Sequence, residues 1–407
     1  MDYRVLLLLG AEAMFALFLL YRAKILRSPA SWVVAAALIA GAFLIRALAL
    51  DYETLDYQNF LSRWVAFYRD NGGFRAIRVP LGNYNIPYLY FLALFSYSGI
   101  RDLYLIKLLS IFFDVLLAWG ALRLCARFTD RPNRKLACFL TVLWLPTVVL
   151  NGAVWAQCDS IYVALLVLSL ALALEDKPIR SMICLTLSFG FKLQAVFVMP
   201  VFLILLLYKK IRWQHLFLFP LTYLILVMPA VILGRPLLDT LTLYLSQTGS
   251  IGSGLNYNSP SVFAIFWRLQ DVQPASTIAI AGAFCFMLLV LILARKQTDR
   301  IVLLAAVLLA IGIPFLLPHM HDRYFFAADI LTLILAFSIP TFCLAAPLAQ
   351  FASLLGYHAY LKLRYLLPMW YGSYALIAAL VLVFAGYLHE LKRSREQTDP
   401  PQGVANL

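Results

Sequence analysis

The apolar run WVVAAALIAGAFLIRALAL (residues 32–50) leads without a break into the acidic segment DYETLD (residues 51–56). A run of about 20 apolar residues can cross the hydrocarbon core of a bilayer as one α-helix. The polar stretch that follows extends to Pro87 and carries Arg63, Arg69, Arg75 and Arg78. A plain connection between two membrane helices does not need acids, guanidiniums and aromatic rings at this density. The sequence therefore predicts a helical membrane protein whose chemistry lies in this loop.

The composition of the 407-residue chain agrees with this prediction. Hydrophobic residues make up 63% of it and charged residues only 13%, about half the share that is usual in soluble domains. The formal net charge is +13, but the basic residues are dispersed at the ends of apolar runs, which argues against a nucleic-acid partner. The expected partners are instead the lipid bilayer and an anionic, lipid-linked substrate.

The apolar runs predict the fold class, an all-α polytopic transmembrane bundle of about 13 spans. Residues 1–388 are expected to form one domain, in which 51–102 is a first large extracytoplasmic loop with amphipathic helices. The polar tail 389–407 is predicted to be cytoplasmic and disordered. The candidate spans are about 5–21, 31–50, 103–125, 136–151, 159–175, 180–190, 193–208, 214–233, 276–294, 300–317, 324–340, 342–357 and 366–388.

Lysine and arginine residues set the predicted orientation of the bundle. Cytoplasmic loops carry an excess of these residues, and five of them lie between positions 123 and 135, namely Arg123, Arg127, Arg131, Arg134 and Lys135. If the apolar segment 84–98 crossed the membrane, this cluster would face outside. We therefore expect 84–98 to be an amphipathic or re-entrant helix on the outer face, with the N-terminus outside and the C-terminus inside.

Five polar clusters fall on the outer side under this topology. They lie in the loop 51–87 and in residues 151–160, 191–194, 256–260 and 318–324. A chain with so few polar residues would scatter such clusters over both faces by chance, so their coincidence on one side favours a functional site.

Each cluster also has a structural interpretation. Asp159 could cap the helix that follows it, and Lys192 could extend its ammonium to the lipid head groups. The segment Asn258-Ser259-Pro260 could be a turn that starts a helix, and Asp322-Arg323 could be an adjacent ion pair.

Two further features of the sequence are a pair of histidines and two charged residues inside an apolar run. His319 and His321 stand two residues apart, so they do not share a helix face, and no third ligand is evident. No cofactor is therefore expected, with a divalent cation as the alternative. Asp114 lies in mid-span on the same helix face as Lys107, and it has two interpretations: a buried hydrogen bond between helices or a substrate contact.

The inventory of the predicted outer side fits transfer of a sugar from a lipid phosphate. The sequence has no nucleophile motif, Walker loop or dinucleotide fingerprint. A phosphate leaving group needs no strong general acid, since cationic side chains stabilise its growing charge. A single carboxylate can deprotonate the acceptor hydroxyl, and an in-line displacement inverts the anomeric carbon. Trp64, Tyr84 and Trp155 are expected to stack on the sugar or to line a prenyl groove.

Six short motifs resemble those of the GT-C membrane glycosyltransferases, and most closely the bacterial relatives of the second GPI mannosyltransferase. Two departures from many relatives are Ile86-Pro87 in place of Pro-Pro and Ala156 in place of glycine. The motifs are DYQNFLSRW (residues 56–64), NYNIPYLY (83–90), KLLSIFFD (107–114), NGAVWAQCDS (151–160), FGFKLQ (189–194) and HMHDRYF (319–325).

The resemblance implies a polyprenyl-phosphate sugar donor, with mannose as the sugar, and an extracytoplasmic active site in a multi-pass protein of a bacterial plasma membrane. It places the base Asp at Asp56, with Asp51 as competitor, and a donor contact at His321-Asp322-Arg323. The acceptor would be a glycan, a lipid or a protein. The candidate substrate-binding residues are Asp51, Trp64, Tyr84, Asn85, Trp155, Gln157, Asp159, Lys192, Gln194, Asn256, His319, His321, Asp322, Arg323 and Tyr324.

Two rival functions use the same residue types. A transporter or flippase of a lipid-linked saccharide should show broken helices at mid-membrane and paired halves, and neither is clear in the sequence. A glycan polymerase or ligase would use a lipid-linked oligosaccharide donor. A transferase, in contrast, should hold Asp56 over an outer cavity within reach of Arg323.

Overall fold

The structure is a computed structural model, and it describes residues 2–82, 84–248, 254–266, 268, 272–294 and 298–396. The described part is mostly helical. Its α-helices, numbered in chain order, are α1 Tyr3–Arg22, α2 Pro29–Ala49, α3 Ser62–Asp70, α4 Ile86–Phe95, α5 Asp102–Cys125, α6 Pro132–Trp144, α7 Pro146–Val149, α8 Asp159–Leu174, α9 Pro178–Phe191, α10 Val201–Leu207, α11 Leu218–Ile232, α12 Leu237–Leu241, α13 Leu243–Thr248, α14 Val262–Ile265, α15 Val272–Leu293, α16 Asp299–Leu316, α17 Phe326–Ser338, α18 Ala345–Lys362 and α19 Trp370–Glu396.

Shorter elements complete the described chain. Two residues each form the strands β1 (Asn256–Tyr257) and β2 (Met320–His321), which pair in parallel. The 3₁₀-helices are Gly73–Arg78, Leu193–Phe197, Trp213–Phe217 and Pro340–Phe342, and the π-helical segments are Tyr57–Leu61 and Leu150–Val154.

Seven helices of the described residues are long and apolar enough to cross a membrane, or eight if one bent pair counts as a single span. These helices indicate a membrane protein, and each of the seven coincides with one of the predicted spans. They are Tyr3–Arg22, Pro29–Ala49, Asp102–Cys125, Trp213–Ile232, Pro274–Leu293, Asp299–Leu316 and Trp370–Ser394.

Five of the other six predicted spans are shorter or broken, and the sixth, 342–357, corresponds to the 18-residue α18, which is not among the helices apolar enough to cross. The predicted number of spans is therefore not confirmed. The run 136–151 bends by 44° between α6 and Pro146–Val154, because a proline lacks the N–H that would continue the helix. The run 193–208 divides into a 3₁₀-helix and the seven-residue α10. The runs 159–175, 180–190 and 324–340 correspond to α8, α9 and α17, which have 16, 14 and 13 residues.

The loop after α2 contains two helices of different character. The helix α3 is amphipathic as predicted, since it buries Trp64 and Tyr68 and exposes Arg63 and Arg69. The helix α4 has only ten residues and lies within the segment 84–98. Most of its side chains are buried and none is charged, so the amphipathic alternative is wrong for α4. The other alternative, a re-entrant helix, stays a prediction.

The chain divides into two compact units. Unit 1 contains residues 1–196, 213–253 and 357–364, and unit 2 contains 197–212, 254–356 and 365–407. Helices α5, α8 and α9 form the core of unit 1, and α8 is buried on nearly all sides. In unit 2, α16 is likewise buried and packs against α15, α17 and α19.

The last helix is longer than the sequence predicted. The disordered tail was expected to begin at residue 389, whereas α19 continues to Glu396. The polar residues 389–396 therefore extend the helix, and residues 397–407 lie outside the described part of the chain.

Candidate active site

Asp56 is a half-buried carboxylate of unit 1 at the start of the π-helical segment Tyr57–Leu61. Its Oδ2 accepts hydrogen bonds from Trp155 Nε1 at 2.8 Å and from Gln157 Nε2 at 2.9 Å. Hydrogen bonds to a charged group contribute about 1.5–3 kcal/mol each. Two donors on one oxygen therefore fix the position of this carboxylate, as a general base requires.

The two donors come from one turn of unusual geometry, residues 150–157, which is here called the Trp155 turn. The π-helical segment Leu150–Val154 ends at Trp155, whose N–H donates to Leu150 O at 2.8 Å. The N–H of Gln157 donates to Asn151 O at 2.9 Å. Both π-helical segments of the described chain thus adjoin Asp56 or its donors, and such segments are frequent at functional sites.

Ala156 allows the donors on either side of it to reach the same oxygen. Its φ of 62° places it in the left-handed region, where a residue with a Cβ loses roughly 1–2 kcal/mol. This conformation gives a physical reason for glycine at the same position in many relatives.

Substitution of Ala156 should separate backbone strain from side-chain chemistry. Ala156→Gly removes the strain at a cost in unfolded-chain entropy, so we expect its sugar transfer to stay within about twofold of the parent. Ala156→Val places a β-branched residue at positive φ, which is strongly disfavoured, and should lower both the melting temperature in detergent and the activity by about tenfold or more. Equal activity of the two variants would contradict this account.

Tyr84 and Trp64 extend the network away from Asp56. Tyr84 Oη donates to Gln157 Oε1 at 3.0 Å, which turns the Gln157 amide so that its nitrogen faces Asp56. The ring of Tyr84 packs edge-on against Trp64, with centroids 5.6 Å apart. The sequence predicted both aromatic residues for the site, and the structure connects them to the candidate base.

Trp155 is completely buried, and this burial does not fit the predicted stacking on a sugar. Its ring stacks on Tyr360 with centroids 3.9 Å apart and meets Tyr357 edge-on at 5.3 Å. Its backbone oxygen accepts a hydrogen bond from Thr54 Oγ1 at 3.1 Å. Trp155 therefore acts as a rigid donor to Asp56, because its ring is enclosed by protein.

Tyr360 is a site residue that sequence analysis missed. It belongs to unit 1, stacks on Trp155, and its Oη accepts the Asp56 N–H at 3.0 Å. Tyr357 and Tyr360 stand three residues apart and share a helix face, but this spacing does not tell which part of the chain they contact.

Removal of the Tyr360 hydroxyl should weaken the site without dismantling it. Tyr360→Phe keeps the stack on Trp155 and loses one neutral hydrogen bond, a difference of about 0.5–1.5 kcal/mol. We expect kcat to fall by about two- to tenfold, while the melting temperature stays close to that of the parent. Tyr360→Leu, which also removes the stack, should cost more, and Tyr374→Phe at an exposed tyrosine should change neither value. A Tyr360→Phe variant with parental kcat would contradict the role.

The start of the loop is held by α5. Lys107 is buried, and its Nζ donates to the backbone oxygens of Ala49, Leu50 and Tyr52 at 2.8, 3.1 and 2.6 Å. A cation in this position satisfies carbonyls that the end of α2 leaves without helical partners. Lys107 therefore fixes the point at which the loop leaves the helix.

Asp51, the competing candidate for the base, lies at the start of the loop, beside the contacts of Lys107 with the end of α2. Its side chain accepts a hydrogen bond from Tyr104 Oη at 2.5 Å and is exposed. Glu53 pairs with Arg101, and a hydrogen bond from Gln58 together with Arg101 lowers the pKa of Glu53. The structure thus attaches Asp51 and Glu53 to α5, whereas Asp56 is attached to the Trp155 turn.

Asp159 and Lys192 form a buried ion pair in unit 1. Asn151 Nδ2 also donates to Asp159 Oδ2 at 2.8 Å and to Tyr357 Oη at 2.9 Å. The capping position of α8 belongs to Cys158, so Asp159 is not the cap. Lys192 is buried and paired, so it does not extend to the head groups either. The cap at Asp159 and the head-group contact of Lys192, both expected as structural interpretations, are therefore wrong. The ion pair instead holds Asn151 of the Trp155 turn, through Asp159.

Asn85 and Gln194 differ in how their polar groups are used. Asn85 is fully buried, caps α4 through its own Oδ1, and donates to Tyr223 Oη at 3.0 Å, so the predicted substrate contact does not fit it. Gln194 is half-buried, and its Oε1 has no hydrogen-bond partner among the described residues. A substrate contact of Gln194 stays a prediction.

The remaining predicted site residues lie in unit 2. Asn256 bonds back to Ser259 through both groups of its amide, at 2.9 Å each, which is the turn expected from the sequence. His319 Nδ1 lies 2.7 Å from Gly254 O. His321 stacks on Tyr257 with centroids 4.7 Å apart and also contacts Tyr324.

Asp322 and Arg323 directly follow β2 in the segment 319–325, here called the His321 turn, and Arg323 Nη1 lies 4.0 Å from Asp322 Oδ1. Asp322 O and Asn258 O approach Gly356 so closely that a Cβ there would lie 2.8 and 3.0 Å from them. Glycine at 356 therefore lets α18 pack against this turn. A contact of Arg323 with a donor phosphate stays a prediction.

Metal binding finds no support in the described residues, which contain no group of three or more His, Cys, Asp or Glu side chains that could hold an ion. His319 and His321 are directed to different partners. The expectation that no cofactor is needed stays a prediction.

Comparison with known proteins adds one finding. Residues 92–208 match a family described as MptA_B family, alpha-(1->6)-mannopyranosyltransferase, N-terminal domain. The matched segment contains Lys107, Asp114, the Trp155 turn and the Asp159–Lys192 pair, and it excludes Asp56 and the His321 turn. The match supports a glycosyltransferase, and more closely a mannosyltransferase. A comparison with curated proteins finds no match.

Proposed function

We propose that this protein is a GT-C membrane mannosyltransferase that uses a polyprenyl-phosphate-linked donor and works on the extracytoplasmic side. The observation that carries the proposal is the carboxylate of Asp56, held by Trp155 Nε1 and Gln157 Nε2 and backed by Tyr360. The mannosyltransferase family match to residues 92–208 supports the class of reaction. The relation to the second GPI mannosyltransferase rests on the resemblance of the motifs alone.

In the proposed reaction Asp56 is the general base. It takes the proton of an acceptor hydroxyl while the hydroxyl oxygen forms a bond to the anomeric carbon. The bond between that carbon and the phosphate oxygen breaks, and its electron pair leaves with the lipid phosphate. The attack opposite to the leaving group inverts the anomeric configuration, as in inverting glycosidases.

The network around Asp56 suits this role because two donors, the indole of Trp155 and the amide of Gln157, hold one carboxylate oxygen in a fixed position. Tyr360 holds the backbone N–H of the same residue. Fixed geometry of this kind lowers the barrier, because the reactants need no further ordering.

A donor panel tests the proposal. Purified protein is incubated with polyprenyl-phosphate mannose, glucose and galactose and with a hydroxyl acceptor, and release of free polyprenyl phosphate is followed. We expect acceptor-dependent release that is fastest with mannose, and an inverted linkage in the product by NMR. Absence of release with every donor would contradict a transferase.

The same assay separates the rival functions. A transporter or flippase would move the labelled lipid across a proteoliposome membrane and leave the sugar–phosphate bond intact. A polymerase or ligase would release lipid phosphate only from an oligosaccharide-linked donor. The hydrogen-bonded carboxylate favours the transferase, because transport of a sugar does not require a fixed base.

A further inference from the structure

Arg235 is a buried arginine just beyond the end of α11, with 4% of its surface exposed. The turn there is closed by hydrogen bonds from Gly234 N to Val231 O at 2.9 Å and from Arg235 N to Ala230 O at 3.0 Å. Gly234 has a φ of +103°, a conformation that glycine adopts without strain. The turn directs Arg235 onto the loop segment that precedes α4.

The guanidinium of Arg235 has few partners for a buried cation. Its Nη1 donates to Ile77 O at 3.4 Å, and its Nε has no hydrogen-bond partner in the described chain. Asp239 acts on it electrostatically but forms no ion pair with it among the described residues. Arginine is rarely buried unless it is paired, and burial here lowers the pKa of Arg235.

Tyr68 supplies a second buried donor at the same place. It is completely buried on α3, and its hydroxyl has no hydrogen-bond partner among the described residues. Burial raises the pKa of Tyr68 to about 12, while the charge of Arg235 acts in the opposite direction. Tyr68 therefore keeps its proton at neutral pH. The Tyr68 hydroxyl and Arg235 Nε are thus two buried donors without a hydrogen-bond partner among the described residues.

The surface around this pair is cationic and apolar. Arg75 and Arg78 are exposed, and neither forms an ion pair within the described residues. Arg78 lies beside the turn, since a Cβ on Gly234 would be 3.8 Å from Arg78 Cβ. The following helix α12 exposes its leucines, with Leu238 71% exposed. Positive charge beside exposed leucine is typical of a surface that meets lipid head groups and acyl chains.

We propose that Arg235 and Tyr68 bind the phosphate group of a lipid, with Arg78 at the entrance and the leucines of α12 against an acyl chain. A guanidinium offers donors in a planar fork that matches phosphate oxygens, and the Tyr68 hydroxyl adds a further donor. A bilayer phospholipid and a polyprenyl phosphate share this chemistry. The proposal does not depend on sugar transfer, because it concerns binding alone.

Lipid binding to the purified full-length protein tests the proposal. The probes are phosphatidylglycerol, polyprenyl phosphate and a neutral diacylglycerol, each titrated in mixed micelles and detected by native mass spectrometry. We expect both phosphate lipids to bind and diacylglycerol not to bind. Preference for phosphatidylglycerol or for polyprenyl phosphate identifies the source of the phosphate. Equal binding of diacylglycerol would overturn the phosphate assignment.

Variants locate the site. Arg235→Gln should weaken phosphate-lipid binding by about tenfold or more, since a hydrogen bond to a charged group is lost. Arg235→Lys keeps the charge but not the planar guanidinium, so its affinity should lie between those of the parent and Arg235→Gln. Tyr68→Phe, which removes only the hydroxyl, should lower the affinity about two- to tenfold. Arg69→Gln, an exposed arginine on the same helix as Tyr68, is the matched control and should change the affinity by less than about twofold.

Two results would overturn the site. One is parental affinity in Tyr68→Phe and in Arg235→Lys, since both variants retain the charge and the shape of the protein. The other is an equal loss in Arg69→Gln, which would show that lipids respond only to the general positive charge of the loop.

Discussion

Asp56→Asn is expected to abolish sugar transfer, with a loss of about 10²–10⁴-fold in kcat, the range that general base catalysis supplies. The amide of asparagine cannot take a proton from the acceptor hydroxyl. It still offers an oxygen to Trp155 Nε1 and Gln157 Nε2, the two donors that hold Asp56. The variant should therefore insert into the membrane and purify like the parent, and its melting temperature should change little.

Two other acids of the same loop serve as controls. Asp70→Asn changes an exposed carboxylate at the end of α3 and should leave transfer unchanged. Asp51→Asn weakens the contact with Tyr104 and should lower activity by less than about tenfold. If Asp51→Asn proves inactive while Asp56→Asn retains activity, the base has been assigned to the wrong aspartate.

The sequence predicted the long helices well, because their length and composition alone allow a membrane crossing. Helices α2, α5 and α16 lie within a residue or two of the predicted runs. The shorter runs failed for a local reason. Pro146 and the 3₁₀-helix Leu193–Phe197 interrupt apolar stretches that the average hydrophobicity treats as continuous.

The candidate site was predictable in part. The loop stood out because it opens with three carboxylates in six residues, and the resemblance of the motifs selected Asp56 among them. Trp155 and Gln157 were found because they lie in a polar turn between apolar runs. Tyr360 was not found, because its contact with Asp56 joins residues 304 positions apart. Sequence patterns report the face of a helix on which a residue lies, but not the segment that the face meets.

Arg46 was missed although the sequence carried a signal. It is a charged residue inside the apolar run 32–50, and such residues are rare enough to suggest a partner. In the structure Arg46 Nη2 lies 2.9 Å from Asp114 Oδ2, and both side chains are fully buried. Ser160 Oγ donates to Asp114 Oδ1 at 2.5 Å. The interpretation of Asp114 as a bond between helices therefore agrees with the geometry.

Loss of Arg46 is expected to destabilise the protein more than any single change outside the site. Removal of one partner of a buried ion pair costs about 3–5 kcal/mol, because the other charge stays buried without compensation. Arg46 also donates to Ala42 O at 3.0 Å and to Leu143 O at 2.8 Å, so it joins α2 to α5 and α6. Glu12 of α1 interacts electrostatically with Asp114, and loss of the cation would leave two acids together.

The stability loss should also reach the candidate site, because Ser160, which follows the Trp155 turn at the start of α8, donates to Asp114 Oδ1 at 2.5 Å. A shift of Asp114 would therefore disturb the segment that carries Trp155. We expect Arg46→Leu to lower the melting temperature in detergent strongly and to reduce transfer. The exposed Arg4–Asp2 pair is the control, and Arg4→Leu should leave both values unchanged.

A double variant decides whether the charge or the packing is responsible. Arg46→Leu combined with Asp114→Leu removes both charges, and replacement of a whole buried pair by apolar residues is often neutral. The double variant should therefore melt above the Arg46→Leu single variant, because no uncompensated carboxylate is left in the core. If the two losses simply add, the pair has no coupling, and the helices are held by packing alone.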